Sequence, residues 1–218
     1  MLKMDSHIHS EYSPDSSAKI DDILKVANQR GIDIIAISDH NTVDGTDEVL
    51  RKTRNTDILA IPSIEISSSH GHILGFGCEE NIARDLSPEE TIDKIHDFGG
   101  LAIIPHPYCF YRHGLLCKSD PENLKIDAIE TKNARFIVGY CNGKAKKLSK
   151  NENISGLGAS DAHYYKFVGD CYSKIECEKD IDSVMKAIKK GKVEACGKGT
   201  SNVRLSKYLF DKNVLKKF

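Results

Sequence analysis

Residues 33–40 read DIIAISDH, a continuous apolar run that ends in two polar side chains, Asp39 and His40. A short run of this kind, rich in β-branched residues and without polar alternation, is typical of a strand buried on both faces of a sheet. The chain contains seven such runs. We predict strands at Leu2–Ser6, Asp33–Ser38, Ile58–Ile66, His72–Phe76, Leu101–Pro105, Ile126–Thr131 and Ile154–Ala159.

Segments with helical periodicity lie between and after these runs. We predict helices at Ser17–Arg30, Thr46–Thr53, Ser87–Phe98, Gly143–Lys150 and Asp180–Lys190. The third begins with a capping serine, a proline at the first helical position and Glu90 at the capping-box position. Strand–helix alternation along the whole chain favours parallel strands, and hence an α/β barrel or a doubly wound sheet in a single domain over residues 1–218.

The composition excludes several classes of protein. The formal net charge is -1, so no overall charge attracts the chain to duplex nucleic acid or to an anionic membrane. The first ten residues lack the apolar core of a signal peptide, and no apolar run approaches the length of a membrane span. The 7 cysteines are odd in number and form no C-x-x-C pair, which favours reduced thiols. We therefore expect a cytoplasmic protein that binds no membrane.

Metal-binding side chains stand at the ends of the predicted strands, where strands of α/β proteins converge on a ligand site. They include six of the 9 histidines. These side chains are His7, His9, Asp39, His40, Glu65, His72, His106, Asp161 and His163. Imidazole and carboxylate together, without cysteine, suit zinc, manganese or iron.

Each of these elements has a simpler interpretation when taken alone. His7 and His9 share one face of a strand and would also suit a satisfied polar pair. Asp39 could orient a neighbouring ring or cap a helix rather than bind a metal. Glu65 is harder to explain without a metal, because a buried carboxylate that lacks a partner is costly. The joint placement at successive strand ends predicts one shared pocket.

The motifs also resemble, in order, those of the PHP (polymerase and histidinol phosphatase) superfamily, from Met1 to about His163. The resemblance rests on HIH at residues 7–9, Asp15, DH at 39–40, Glu65, IPHP at 104–107 and SDAH at 160–163. It implies a distorted (β/α)7 barrel that holds two or three divalent ions of manganese, zinc or iron. It also implies a metal-bridging hydroxide that attacks phosphorus.

The resemblance further implies which residues bind each ion. One ion would take His7, His9, Glu65 and Asp161; a second would share Glu65 and use His106 with His72; a third would take Asp15, His40 and His163. His70 is the alternative to His72, because both point the same way on a strand. Position 15 carries Asp where some relatives carry His. We expect Glu65, Asp161 and His163 to act in catalysis.

Some relatives carry an insertion domain over the site. About forty residues separate Glu65 from His106, and a strand and a helix account for them, so we expect no such domain. Substrate binding is expected from His72, Arg112 and Arg135, although the two arginines would equally suit solvated loops.

Three further segments remain open. The aromatic cluster Tyr108, Phe110 and Tyr111 would stack on a nucleobase or pack in the core or at the rim. The lysines of residues 144–150 would form a solvated face or a weak phosphate track. The tail, residues 207–218, would cover the barrel or form a dimer contact.

These features predict a metal-dependent phosphoesterase that cleaves a phosphomonoester or phosphodiester of a small metabolite, a nucleotide or a short oligonucleotide. One alternative is a non-catalytic PHP-like scaffold or partner subunit. Another is an amidohydrolase acting on carbon–nitrogen bonds, although the metal-bridging lysine typical of that family has no clear counterpart. The substrate and the oligomeric state stay open, because specificity resides in loops that vary freely on such a scaffold.

Overall fold

A computed structural model describes residues 1–135, 140–201, 203–206 and 208. Residues 203–206 are helical, and in addition ten strands and five α-helices lie wholly within the described residues. They are β1 (Leu2–Ile8), α1 (Ile20–Gln29), β2 (Ile34–Ile37), α2 (Asp44–Thr53), β3 (Leu59–Ile61), β4 (Ser63–Ser67), β5 (His72–Phe76), α3 (Pro88–Asp97), β6 (Leu101–Ile104), β7 (Ala128–Asn133), α4 (Tyr140–Asn151), β8 (Ser155–Ala159), β9 (Cys171–Ile175), α5 (Ile181–Lys189) and β10 (Val193–Gly197).

The strands form two five-stranded sheets, in the orders β10-β9-β1-β2-β3 and β4-β5-β6-β7-β8. Strands β1, β2 and β3 pair in parallel, as do β6, β7 and β8. Strand β5 is antiparallel to both of its neighbours, and β9 is antiparallel to β1 and β10. The predicted α/β class is confirmed, but the expectation of parallel pairing throughout is wrong.

The two sheets touch at one end without a continuous ladder between them in the described residues. Single bridges link Ile8 to Ala162 and His40 to Glu65, both in the parallel sense. The closed barrel implied by the family resemblance therefore stays a prediction.

Strand β2 shows why its sequence is apolar throughout. Ile34 and Ala36 face a core cluster that also includes residues of β5 and β6, between the two sheets. Ile35 and Ile37 face a second cluster together with Ile23 of α1. Because successive side chains of a strand point to opposite faces, β2 buries one face in the central core and the other under a helix. Each fully buried isoleucine stabilises the fold by roughly 2 kcal/mol.

All five predicted helices and all seven predicted strand regions are present. The predicted strand Ile58–Ile66 is divided at Pro62 into β3 and β4, which belong to different sheets. Proline has no N–H to donate to a ladder, and this explains the interruption. Strands β9 and β10 were not predicted, because their polar residues interrupt the apolar run that marked the others. None of the helices in the described part of the chain could cross a membrane.

Helix α3 begins with the capping box that its sequence predicts. The Ser87 hydroxyl accepts a hydrogen bond from Glu90 N (3.2 Å), and Glu90 Oε2 accepts one from Ser87 N (2.9 Å). These two bonds satisfy donors that the first helical turn would otherwise leave unpaired.

Replacing this cap should destabilise the protein measurably. We expect Ser87→Ala to lower the free energy of unfolding by about 1 kcal/mol, because the N–H of Glu90 loses its acceptor. Denaturant unfolding followed by circular dichroism measures the change. Ser69→Ala, at an exposed loop position, is the matched control. Equal stability of the two variants would show that the capping box contributes nothing.

Candidate metal centre

The polar motif residues meet where the two sheets touch. Asp161 N donates to His7 O (2.8 Å) and so joins the segment after β8 to β1. On the other side, Asn41 N donates to Glu65 O (2.9 Å) and joins the segment after β2 to β4. The ends of four strands are thereby held together.

All nine predicted metal ligands lie in this region. Each offers a ring nitrogen or a carboxylate oxygen within 3.6 Å of another member of the set. The nine are His7, His9, Asp15, His40, Glu65, His72, His106, Asp161 and His163.

The first group surrounds one oxygen of Glu65. His7 Nε2 and His9 Nε2 are 2.9 Å apart and lie 3.3 and 3.1 Å from Glu65 Oε2. Asp161 Oδ1 lies 3.8 and 3.6 Å from the same two nitrogens. Ligand atoms bound tetrahedrally at about 2.1 Å from one zinc ion are about 3.4 Å apart. The spacing in this group fits a single ion.

The second group surrounds the other oxygen. His72 Nδ1 lies 2.9 Å and His106 Nε2 lies 3.2 Å from Glu65 Oε1. His40 Nδ1 lies 3.3 Å from Glu65 Oε2, between the two groups. His70, the alternative to His72, is exposed and contacts Ser119 Oγ instead, at 2.9 Å. The two Glu65 oxygens thus face different imidazoles, as a bridging carboxylate would require.

The third group lies at the surface side of the centre. Asp15 Oδ2 is 2.7 Å from His163 Nε2 and 3.7 Å from His40 Nε2. His9 also belongs to this group, since it, Asp15, His40 and His163 each offer a ligand atom within 4.8 Å of the others. His9 therefore belongs to both the first and the third group, and His40 belongs to both the second and the third.

One buried ring nitrogen supports the presence of metal. His72 Nδ1 lies 2.9 Å from Glu65 Oε1 without the alignment of a hydrogen bond, and it has no hydrogen-bond partner among the described residues. A buried polar atom without a partner is costly. A bound ion would relieve this cost, and the residues present therefore fit a metal.

The carboxylates are held ionised. Burial alone would raise the pKa of Glu65, but the imidazoles of His72 and His7 outweigh it and hold that pKa well below its usual range. For Asp161, burial is likewise outweighed, first by the guanidinium of Arg112, and its pKa is also lowered well below the usual range. Both groups are therefore ionised at neutral pH, which is the form that binds a metal.

Three of the six imidazoles are held neutral, whereas the nearby carboxylates raise the pKa of His40 above its ordinary value. Burial lowers the pKa of His9, and the neighbouring His163 lowers it further. Burial is also the main cause of the lowered pKa of His106 and of His163. In His7 burial lowers the pKa, but Asp161 and the other nearby carboxylates raise it above its ordinary value. Neutral imidazole is the ligating form, so a metal at His7 would displace a proton.

Glu130 was not among the predicted site residues. It is fully buried in β7, with Oε1 2.7 Å from His7 Nδ1. Its other oxygen accepts hydrogen bonds from His106 N (2.8 Å) and Asn133 Nδ2 (2.8 Å). It therefore orients the ring of His7 and the backbone at His106. The signal was present in the sequence, because Glu130 follows Ala-Ile in an apolar strand just as Glu65 lies between isoleucines.

Asp39 supports the centre rather than joining one of its groups. Its Oδ1 accepts a hydrogen bond from Ser10 N (2.6 Å), and its Oδ2 accepts one from the Ser10 hydroxyl (2.5 Å). It thereby holds the segment that follows His9. Both bonds go to Ser10 rather than to an imidazole ring, so the orienting of a neighbouring ring by Asp39 stays a prediction.

Arg112 and Arg135 both contact Asp161. Arg112 forms an ion pair with Asp161 Oδ2, and its side chain is only 12% exposed. Arg135 Nη1 lies 3.3 Å from Asp161 Oδ1 and 2.7 Å from His163 Nδ1. Neither arginine is a solvated loop charge. Both line a cavity of about 750 Å³ at the centre, together with His72.

The structure places the remaining predicted segments, the aromatic cluster and the tail, differently. Tyr111 lines the same cavity and is 63% exposed, whereas Tyr108 lies under Lys144 with the ammonium 3.9 Å from its ring centroid. Phe110 is 79% exposed. Rim packing therefore describes Tyr111 better than a stacked cluster does. The tail 207–218 falls outside the described residues except for Tyr208.

Comparison with known families identifies this architecture. Residues 5–141 match the PHP domain. The chain belongs to the PHP family. Residues 139–193 of this PHP protein match a further family described as PHP-associated.

Several known proteins are similar to this PHP protein. An uncharacterized protein of Methanocaldococcus jannaschii is 38% identical over 157 residues, which cover 66% of this chain and 89% of the relative. A two-domain protein of Bacteroides vulgatus, described as containing a predicted PHP-like metal-dependent phosphoesterase, superposes with a TM-score of 0.75 at 18% identity. That match covers 90% of this chain and 65% of the other.

A lesion-specific endonuclease of Pyrococcus furiosus also shares the fold, with a TM-score of 0.67 and 17% identity. The match covers 89% of this chain but only 57% of the endonuclease. This PHP protein therefore spans less than two thirds of the length of either of these two structures.

The orienting role of Glu130 can be tested separately from the ligands. We expect Glu130→Gln to weaken metal binding about 10- to 100-fold, because His7 loses the carboxylate that fixes its ring and raises its basicity. Competition with a chelator, with the metal quantified by elemental analysis, measures the affinity.

The matched control is Glu194→Gln, which changes an exposed glutamate remote from the centre. Metal affinity equal to that of the control would contradict the orienting role of Glu130.

Proposed function

We propose that this PHP protein hydrolyses phosphate esters with two or three divalent ions of manganese, zinc or iron. The observation that carries the proposal is the placement of Glu65, whose two oxygens face separate groups of imidazoles. Paired metals a few ångströms apart are typical of phosphoesterases.

In this proposal the ligands of the ions are the nine residues of the centre. Glu65 would be shared by two ions, one held with His7, His9 and Asp161 and one held with His72 and His106. Asp15, His40 and His163 would hold the third. When bound, the ions supply an activated water and positive charge for the phosphoryl oxygens.

The side chains of this protein supply binding and orientation around the phosphate. Arg112 and Arg135 present guanidinium groups to the cavity, and such groups bind non-bridging phosphate oxygens in a bidentate manner. His163 lies between Arg135 and Asp15, at the surface side of the centre. As a ligand of the third ion, His163 would act through that ion, which would supply positive charge for the phosphoryl oxygens.

The wider expectations from the sequence complete the proposal. The two sheets would form a distorted (β/α)7 barrel in a single domain over residues 1–218, without an insertion domain. The substrate would be a phosphorylated small molecule or nucleotide rather than duplex nucleic acid, and the location cytoplasmic.

Two other functions are less well supported. A non-catalytic scaffold has no need of a complete set of nine ligating side chains. An amidohydrolase would use a metal-bridging lysine, and no lysine lines the cavity among the described residues. The completeness of the ligand set and the bridging position of Glu65 both favour the phosphoesterase.

Removal of the bridging carboxylate should reduce both metal binding and turnover. We expect Glu65→Gln to lose at least one ion per chain and to lower kcat by more than 100-fold, since two groups lose a shared anionic ligand. Elemental analysis and hydrolysis of bis-p-nitrophenyl phosphate and p-nitrophenyl phosphate measure the two effects. Glu79→Gln, at an exposed position, is the control. Full metal content and full rate in Glu65→Gln would sink the proposal.

Arg112 should act on substrate binding more than on metal content. We expect Arg112→Ala to raise KM about tenfold or more while the ions stay bound, because the phosphate loses a guanidinium partner. Steady-state kinetics on the metal-loaded protein, with elemental analysis of the same sample, test this. An unchanged KM would restrict Arg112 to its ion pair with Asp161.

A further inference from the structure

The cavity at the metal centre has a second, apolar wall. Beyond the imidazoles and arginines, its lining includes Phe167, Leu205, Tyr208 and Tyr111. The first three come from the chain after β8 and from the segment after β10, and nothing in the chemistry of phosphate hydrolysis requires them. They suit the part of a substrate that is not phosphate.

The aromatic side chains of this wall are held in place by one another. The ring of Tyr208 stacks on Tyr164, with centroids 4.7 Å apart and an interplanar angle of 24°. The ring of Phe167 meets Tyr208 edge-on, at 5.7 Å and 80°, and is 4% exposed. Leu205 packs in the same cluster. A ring fixed in this way loses little conformational freedom when it contacts a ligand.

Hydrogen bonds to the carboxylate of Asp170 hold the chain segment that carries Leu205 and Tyr208. Asp170 is almost fully buried and accepts hydrogen bonds from Arg204 Nη1 (2.8 and 2.9 Å) and Thr200 Oγ1 (2.7 Å). Arg30 Nη1 donates to the same carboxylate at 2.8 Å. The guanidinium of Arg204 also lies 5.1 Å from the ring centroid of Phe167. These hydrogen bonds thus hold the segment after β10 against the side of the cavity.

The size of the cavity agrees with a substrate larger than phosphate. A volume of about 750 Å³ lies within the range of pockets that enclose a complete small-molecule ligand. A small alkyl phosphate would occupy the arginine side and leave the apolar wall in water. A planar ring has two apolar faces and would displace that water.

We propose that this wall binds a planar ring in the organic part of the substrate, so that the site selects ring-bearing phosphate esters of nucleotide size over small alkyl esters. The proposal rests on the proposed phosphoesterase function only for the position of the phosphate. Tyr208 and Leu205 contact the ring, and Asp170 is a positioning residue that acts through the segment it holds.

The test compares two ligands that cannot be hydrolysed as esters. The full chain, loaded with manganese, is titrated calorimetrically with the phosphonate analogue of thymidine 5′-phosphate and with methylphosphonate. We expect the ring-bearing phosphonate to bind at least tenfold more tightly, in the range expected for stacking on an aromatic side chain. Equal affinities would overturn the proposal.

Variants of the wall locate the preference. Tyr208→Leu keeps an apolar side chain but removes the ring, and Leu205→Ala shortens the wall without touching an aromatic residue. Each should reduce the preference several-fold and leave the affinity for methylphosphonate unchanged. The matched control is Tyr165→Leu. Tyr165 contacts Tyr164 but does not line the cavity, so this variant should keep the preference for the ring-bearing phosphonate. Equal loss of affinity for both ligands in Tyr208→Leu and Leu205→Ala would overturn the proposal.

The result is separable from the fate of the proposed function. A ring preference that depends on Tyr208, in a protein that hydrolyses no phosphate ester, would support the wall and reject the phosphoesterase. Hydrolysis of p-nitrophenyl esters together with equal binding of the two phosphonates would support the phosphoesterase and reject the wall.

Discussion

The carboxylate of Glu65 is the group on which the rest of the centre depends. It is 1% exposed and lies against five imidazoles, three near Oε2 and two near Oε1. An ionised carboxylate taken out of water needs partners of this kind. Its backbone has a separate role, since Glu65 N donates to Asp39 O at 3.1 Å and Glu65 O accepts from Asn41 N. One residue therefore ties the two sheets together and organises the ligands.

The turns that follow the strands hold backbone conformations that cost energy. Asn41, His106 and Asp161 have φ values of 57°, 33° and 51°, in a region that residues with a β-carbon rarely occupy. Such a conformation costs on the order of 1–3 kcal/mol and persists only when its surroundings enforce it. At His106 and Asp161, hydrogen bonds from the backbone N–H hold this conformation. Glu130 accepts a hydrogen bond from His106 N, and His7 O accepts one from Asp161 N.

The supporting residues link the metal centre to the substrate cavity. Asn133 Nδ2 donates to both Glu130 (2.8 Å) and Asp161 (2.9 Å). One amide therefore joins Glu130, which contacts Nδ1 of His7, to Asp161, which lies near Nε2 of the same ring. Arg112 contacts that same ligand from the cavity side. In the proposed function, the substrate phosphate and a metal ion would therefore both lie next to Asp161. The negative charge of this carboxylate would offset the positive charges of the arginines and of the ion.

The sequence alone determined the features that depend on local pattern. Apolar runs of β-branched residues marked seven strand regions, helical periodicity and the Ser87 cap marked the helices, and polar residues at strand ends marked the candidate metal ligands. These signals are local, because a strand buried on both faces must be apolar and the ends of parallel strands converge.

The tertiary structure decided what depends on distant neighbours. The antiparallel placement of β5 and the addition of β9 and β10 come from pairing between strands, which an apolar pattern does not encode. The distinction between His70 and His72, equivalent on a strand, followed from which ring reached Glu65. Glu130 gained its role only when β7 lay beside β6 and its side chain reached His7. Hydrogen bonds between residues more than a hundred positions apart are a property of packing, and no local run of residues contains them.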